Sequence, residues 1–153
     1  MAVIKEEKLF WFTLCDCGVV VLENNKKVFQ SPNGWMYFPK EWKEGSDKEK
    51  VIKRHRDYRN AVDGDKLIGY GVANGQENAI KYLKTGVAKL EKGNTVLIYT
   101  DGVENYIDIE EFVNIMSSWP KNIEQKIKGL VNKKSSEDSS KYGREKTLIA
   151  VRV

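Results

Sequence analysis

A carboxylate and a glycine directly follow a continuous apolar run in the stretch TVLIYTDGVEN, residues 95–105. The run predicts a central β-strand over residues 96–99, so Asp101 would stand where a rigid element ends. Asp-Gly is ordinary turn chemistry, because Asp hydrogen-bonds nearby backbone and glycine adopts positive φ at little cost. Either Asp101 serves this turn alone, or it belongs to a site that the rest of the chain completes.

A basic cluster is the second group of residues that could do chemistry. The segment KVIKRHRDYR, residues 50–59, could neutralise phosphate groups, with Arg54 and Arg56 as its candidate contacts. Glu49 and Asp57 stand among the bases, and such mixed charge runs are typical of a solvated helix face. The sequence leaves both interpretations open and favours the solvated face.

The remaining candidates for chemistry are the two cysteines. Cys15 and Cys17 lack the second ligand pair of a structural zinc site and the spacing of a thioredoxin motif. Their spacing predicts thiols buried on one face of a strand. The sequence also contains no recognisable Ser-His-Asp arrangement and no phosphate-cradling glycine loop. No catalytic residue is assigned.

Composition indicates one folded domain over residues 1–153. At 41% hydrophobic residues the chain can bury a core, and a net charge of +4 permits an anionic partner without indicating a dedicated nucleic-acid binder. Apolar runs stay well short of the roughly 20 residues that span a bilayer. Charges over residues 5–8 occupy the place of a signal peptide's apolar stretch. We therefore expect a cytoplasmic protein with no membrane partner, and its charge does not favour a nucleic-acid partner.

The elements that would position Asp101 segregate into strands and helices, which favours an α+β fold. An antiparallel meander is predicted over residues 8–14, 18–23 and 26–30, with further strands at 67–73, 96–99 and 147–153. Helices are predicted over residues 46–59, 75–90, 107–119 and 121–131, with Asp108 capping the third. Residues 132–143 are polar enough to predict a loop.

Several stretches in this framework resemble a known family. Residues 90–112, LEKGNTVLIYTDGVENYIDIEEF, and 146–153, KTLIAVRV, resemble the C-terminal half of metal-dependent protein phosphatases of the 2C type, including their bacterial regulatory branch. The family pattern is GD-x-φ-φ-φ-x-[ST]-D-G, where φ is apolar, and Thr100, Asp101 and Gly102 stand at its [ST]-D-G. Residues 13–29 are similar to the family's G-D-[SC] strand and hairpin, with Asp16 at the acid.

The resemblance implies an antiparallel β-sandwich flanked by helices, of which residues 1–153 would form an incomplete, C-terminal portion. It also implies metal-dependent dephosphorylation of serine/threonine phosphoproteins. Two Mg²⁺ or Mn²⁺ ions about 4 Å apart would polarise the phosphoryl group and activate a bridging water. Asp101 takes the place of one metal ligand, and Gly102, a candidate substrate-binding residue, lets the backbone turn away from the metals.

The sequence departs from the family at the other metal ligands. It contains no D-G-x-G-G segment, and Arg144 stands where the final D-[ND]-x-[ST] motif places a metal-binding Asp. A cation at that position would repel a metal ion. Asp138 and Glu145 are the candidate substitutes, and binding of Mg²⁺ or Mn²⁺ by this chain alone is expected to be weak or absent.

Three functions follow as hypotheses. The chain could be part of a 2C-type phosphatase that is catalytic when an N-terminal phosphatase segment complements it. It could be a degenerate, non-catalytic relative that binds a partner or phosphoprotein through the old cleft. The third hypothesis is a phosphate- or RNA-binding module built on the basic helix 48–59.

Overall fold

Two antiparallel sheets form the framework of the computed structural model, which describes residues 1–32 and 55–153. One sheet holds β1 (Ala2–Lys5), β2 (Lys8–Thr13) and β7 (Lys84–Lys89) in the order β1-β2-β7. The other holds β3 (Gly18–Glu23), β4 (Lys26–Gln30), β8 (Thr95–Tyr99) and β9 (Leu148–Arg152) in the order β4-β3-β8-β9. A small separate hairpin, β5 (Val62–Asp63) and β6 (Lys66–Leu67), lies between β4 and β7 in the sequence.

The two sheets pack face to face because alternate residues of their strands are apolar on the shared side. Leu9 and Trp11 from β2 pack with Val19, Val21 and Val96 from β3 and β8. This interior, together with the helices described next, confirms the predicted α+β class and the helix-flanked sandwich.

Helices cover the opposite face of the four-stranded sheet. They are α1 (Asp101–Glu104), α2 (Glu110–Ser118), α3 (Ile123–Glu137) and α4 (Ser139–Tyr142). Leu22 and Leu97 on this face pack with Phe112 and Met116 of α2 in a second buried cluster. The Thr95 hydroxyl donates to the Met116 carbonyl at 3.1 Å, which joins the sheet to α2 inside the core.

The predicted meander is wrong, because β2 leaves the sheet that contains β3 and β4. β3 pairs with β4 and with β8, whereas β2 pairs with β1 and β7. The chain crosses between sheets through a turn in which Cys15 has φ 62°.

The prediction that both thiols are buried on a strand is also wrong. Cys15 is half-buried and Cys17 is exposed, and neither lies on a strand.

The predicted helix over residues 75–90 is also wrong. A 3₁₀ helix, Glu77–Tyr82, ends before β7, and β7 pairs along its whole length with β2. Gly86 lies in β7 opposite Trp11, and a Cβ at this position would lie 2.5 Å from the Trp11 ring. Of the strand predicted over residues 67–73, only Leu67 lies in a described strand; Gly69 instead crosses close to the Tyr58 carbonyl.

The C-terminal helices extend further than their composition predicts. α3 runs to Glu137 and α4 follows, although residues 132–143 were predicted as a loop. Tyr142 packs edge-on against Tyr106 at 5.1 Å, and the Ser135 hydroxyl donates to the Tyr142 carbonyl at 2.8 Å. This tertiary anchor outweighs the polar composition.

The predicted cap of α2 is wrong as well, since Asp108 lies one residue before the cap position and pairs with Lys27 at 2.5 Å.

The helix predicted over residues 46–59 lies mostly outside the described residues, and Arg54 is among those not described. Residues 55–57 are helical, and Arg56 is exposed with its Nε 3.8 Å from the Asp57 carboxylate. Across the two described ranges, 1–32 and 55–153, we find no helix with the length and apolar character that crossing a membrane requires.

Candidate functional site

Three chain segments meet at one edge of the four-stranded sheet. β8 runs antiparallel to both of its neighbours, and Tyr99 pairs with Gly18 of β3 and with Leu148 of β9. The segments that precede β3 and β9 therefore lie beside the segment that follows β8. This topology gathers Asp16, Asp101 and the loop over residues 144–147 at the same end of the sandwich.

Asp101 stands at the start of α1, immediately after the strand that the sequence predicts. Thr100 is extended, and its N–H donates to the Thr147 carbonyl at 3.1 Å. The Thr147 N–H donates in return to Thr100 Oγ1 at 3.1 Å. These two hydrogen bonds continue the β8–β9 pairing beyond both strands and hold the 144–147 loop against Asp101.

Arg144 pairs directly with Asp101. Its Nη1 donates to Asp101 Oδ2 at 2.6 Å, and the two side chains are 58% and 27% exposed, respectively. Because this pair is partly exposed, its net contribution to stability is about 0–1 kcal/mol. Its chemical effect is larger, since one carboxylate oxygen is engaged by a guanidinium that stays charged at every working pH.

Gly102 is required by a close backbone approach. A Cβ at this position would lie 1.9 Å from the Glu145 carbonyl oxygen. Glycine thus lets the 144–147 loop pass directly over the start of α1. Glu145 itself is exposed. The roles of Gly102 in substrate binding and of Glu145 as a metal ligand stay predictions.

The Asp138 carboxylate caps α4. Its Oδ1 accepts from the Ser140 hydroxyl at 2.6 Å and from the Lys141 N–H at 3.1 Å. The hydrogen bond from Ser140, followed by that from Lys141, lowers the pKa of Asp138. These contacts give Asp138 a structural role, and its role as a metal ligand stays a prediction.

The ionisation of Glu104 is affected by the acidic side chains at this edge of the sheet. Burial raises the pKa of Glu104, and the nearby Asp101 and Asp16 carboxylates raise it further, while Arg144 opposes them. Sequence reasoning did not select Glu104 because its position has no counterpart in the motif. Its placement on the first turn after Asp101 is the signal that could have found it.

The thiols beside these acids are weak nucleophiles. Burial and the Asp16 carboxylate raise the pKa of Cys15 to about 11, and the same two causes raise the pKa of Cys17. A raised thiol pKa lowers the thiolate fraction at neutral pH. The arrangement therefore gives no support to thiol catalysis.

These donors do not fit the divalent ions that the resemblance implies. Mg²⁺ and Mn²⁺ need several oxygen ligands at fixed distances, and Asp101 already shares its charge with Arg144. A guanidinium has no acceptor atom, so Arg144 cannot replace a carboxylate ligand. In the part of the chain that the structure describes, no three His, Cys, Asp or Glu side chains are grouped as a metal site.

Comparisons with known proteins agree with the fold. No protein-family profile matches the sequence, and no curated protein is significantly similar to it. Among solved structures, the photosystem II phosphatase PBCP is 18% identical at a TM-score of 0.50, over 86% of this chain and 41% of that one. The serine/threonine phosphatase of S. agalactiae is 14% identical at 0.54, over 97% and 55%. PppA, a key regulatory component of T6SS in Pseudomonas aeruginosa, is 12% identical at 0.50, over 99% and 56%.

These likenesses show the fold alone. The chain has a fold like that of the 2C-type phosphatases and spans about half the length of the three solved structures. The resemblance found in the sequence is thereby confirmed at the level of the fold.

Replacing Gly102 by alanine tests the close approach of the 144–147 loop. We expect Gly102→Ala to lower the free energy of unfolding by about 1–3 kcal/mol, because the added methyl displaces the Glu145 carbonyl. Urea denaturation measures the change. Gly129→Ala is the matched control: apart from its chain neighbours and the backbone of its own helix, no atom lies within 4 Å of the added Cβ, and alanine favours the interior of α3. Equal stability of Gly102→Ala and wild type would contradict this account.

Neutralising Glu104 tests the electrostatics of the same edge. Because its pKa is raised in the folded protein, ionisation of Glu104 costs stability as pH rises above its ordinary value of 4.5. We expect Glu104→Gln to raise the thermal midpoint at pH 7, with the gain disappearing below pH 4.5. Glu124→Gln should have the opposite sign at pH 7, since the hydrogen bond from Lys128 lowers the pKa of Glu124. A lower midpoint for both variants at pH 7 would contradict the prediction.

Proposed function

We propose that this chain is a non-catalytic, phosphatase-like interaction module. The observation that carries the proposal is the 2.6 Å ion pair between Arg144 and Asp101. It lies at the sheet edge where the resemblance places a metal ligand. A permanent cation bonded to that ligand opposes the entry of a divalent ion, so metal-dependent hydrolysis by this chain alone is not supported.

The proposed ligand of the site around Arg144 and Asp101 is a phosphorylated protein. Arg144 is 58% exposed and uses one of its five N–H donors toward Asp101. A phosphate group could accept from the remaining donors or displace Asp101, because guanidinium–phosphate pairs are strong and often bidentate. Lys146 adds a second cation nearby, with its Nζ 2.7 Å from the Arg144 carbonyl.

A second function is favoured by the extent of the match to known phosphatases. The chain spans 41% of PBCP and 55% of the S. agalactiae phosphatase, so a completed protein could draw carboxylates from another segment. Arg144 would then have to release Asp101 for metal binding. A D-G-x-G-G segment encoded in frame upstream would favour this catalytic alternative.

Mn²⁺ titration by calorimetry and hydrolysis of p-nitrophenyl phosphate separate the two functions. We expect the wild-type chain to show no saturable Mn²⁺ binding and no turnover above background. Arg144→Asp should instead show saturable Mn²⁺ binding, because a second carboxylate replaces the repelling cation. Arg152→Asp is the matched control, since β9 places Arg152 opposite Thr95, at the far end of β8.

Hydrolysis by the wild-type chain with Mn²⁺, abolished in Asp101→Asn, would overturn the non-catalytic proposal. Failure of Arg144→Asp to gain Mn²⁺ affinity, with its fold intact by circular dichroism, would show that the ion pair is not what limits metal binding.

A further inference from the structure

The outer face of the three-stranded sheet exposes a row of large apolar side chains. Val3 pairs with Phe10, and Phe10 pairs with Val87, so these side chains stand in one line across all three strands. They are 52%, 43% and 57% exposed, respectively. The neighbouring residues Leu9 and Trp11 are buried inside the sandwich, which fixes the outward direction of Phe10. A contiguous apolar row of this kind is typical of an interaction surface.

A row of lysines lies directly beside the apolar row. Lys5 pairs with Lys8, and Lys8 pairs with Lys89, so three cations stand side by side on the same face. Like charges in directly opposed cross-strand positions destabilise a sheet. Glu91 offsets part of this charge through an ion pair with Lys89 at 3.2 Å. Glu6 and Glu7 lie in the turn beyond the strands.

The width of a three-stranded sheet is enough for one α-helix to lie on it. Neighbouring strands lie about 4.8 Å apart, so the two outer strands are separated by about 10 Å, close to the diameter of a helix. Successive rows on one face are about 6.6 Å apart along the strands. A helix lying along the strands would therefore cover the apolar row and place one end over the lysines.

We propose that this face, formed by Val3, Phe10, Val87, Lys5, Lys8 and Lys89, docks an amphipathic helix of a partner protein. The apolar stripe of that helix packs on the apolar row, and Asp or Glu side chains in its C-terminal turn pair with the lysines. The lysines also complement the negative end of the helix dipole. This surface is on the three-stranded sheet, whereas Asp101 lies at the end of the four-stranded sheet, so the proposal is independent of the proposed function.

A defined peptide provides the probe. It is a fluorescein-labelled, side-chain-stapled helix of about fourteen residues, long enough for the face at 1.5 Å per residue. Leucines occupy positions i, i+3, i+4 and i+7, and glutamates fill the C-terminal turn. A second peptide of identical composition with the order scrambled is its control. Binding to the full chain is measured by fluorescence anisotropy at two salt concentrations.

Two variants of the face have matched controls. Lys8→Glu should weaken binding of the peptide about tenfold, because it replaces an attraction by a repulsion at the centre of the lysine row. It should also raise the thermal midpoint of the free chain by relieving the cross-strand repulsion, so lost binding cannot come from unfolding. Lys92→Glu makes the same charge change in an exposed turn. Val87→Thr removes apolar contact and keeps the β-branched shape, and Val28→Thr does the same at a 52% exposed valine of β4.

The proposal predicts binding of the ordered peptide alone, weakened by salt, by Lys8→Glu and by Val87→Thr, and unchanged in both control variants. Equal binding of the scrambled peptide overturns it. It is also overturned if anionic phosphatidylserine vesicles bind with the same variant sensitivity and the peptide does not. Self-association of the chain that Val87→Thr abolishes, without peptide binding, would assign the face to a second copy instead.

Discussion

The antiparallel pairing of β8 with both β3 and β9 is the constraint on which the rest of the structure depends. Val96 and Leu97 of β8 are buried on opposite faces of the sheet, one inside the sandwich and one beneath α2. The same strand thus links the two apolar clusters and fixes the position of every segment that meets its ends. The hydrogen bonds between Thr100 and Thr147 extend that pairing past the last strand residue. Asp101 is placed by the sheet rather than by its own turn.

That placement explains why charged side chains and a close backbone approach occur together around Asp101. Gly102 lets the loop before β9 approach closely, and this approach brings Arg144 to Asp101. At this edge of the sheet, Asp101 is paired with Arg144, Glu104 is partly buried, and side chains of both charges lie nearby. The fold is like that of metal-dependent phosphatases, whereas the Arg144–Asp101 ion pair opposes the binding of a metal ion. Function is decided by the site, because one fold can hold many chemistries.

Much of the four-stranded sheet could be predicted from the sequence, because its strands are short apolar runs bounded by turn residues. β3, β4, β8 and β9 all lie where those runs predict them, and α2 follows from the spacing of Phe112 and Met116. The failures have a common cause. β7 is a strand because β2 pairs with it, and α4 forms because Tyr142 packs on Tyr106. Both depend on partners distant in sequence, which periodicity and composition do not contain.

The sequence by itself determined the candidate acid, the motif around it and the presence of Arg144 where the resemblance to 2C-type phosphatases implies a carboxylate. Those facts depend only on residue type and order. Tertiary structure decided that Arg144 bonds to Asp101, that Asp138 caps a helix, and that Val3, Phe10 and Val87 form one row with three lysines beside it. Strand register and loop approach bring these residues together across long sequence separations. Such distances are set by the packing of the whole chain and by no local pattern.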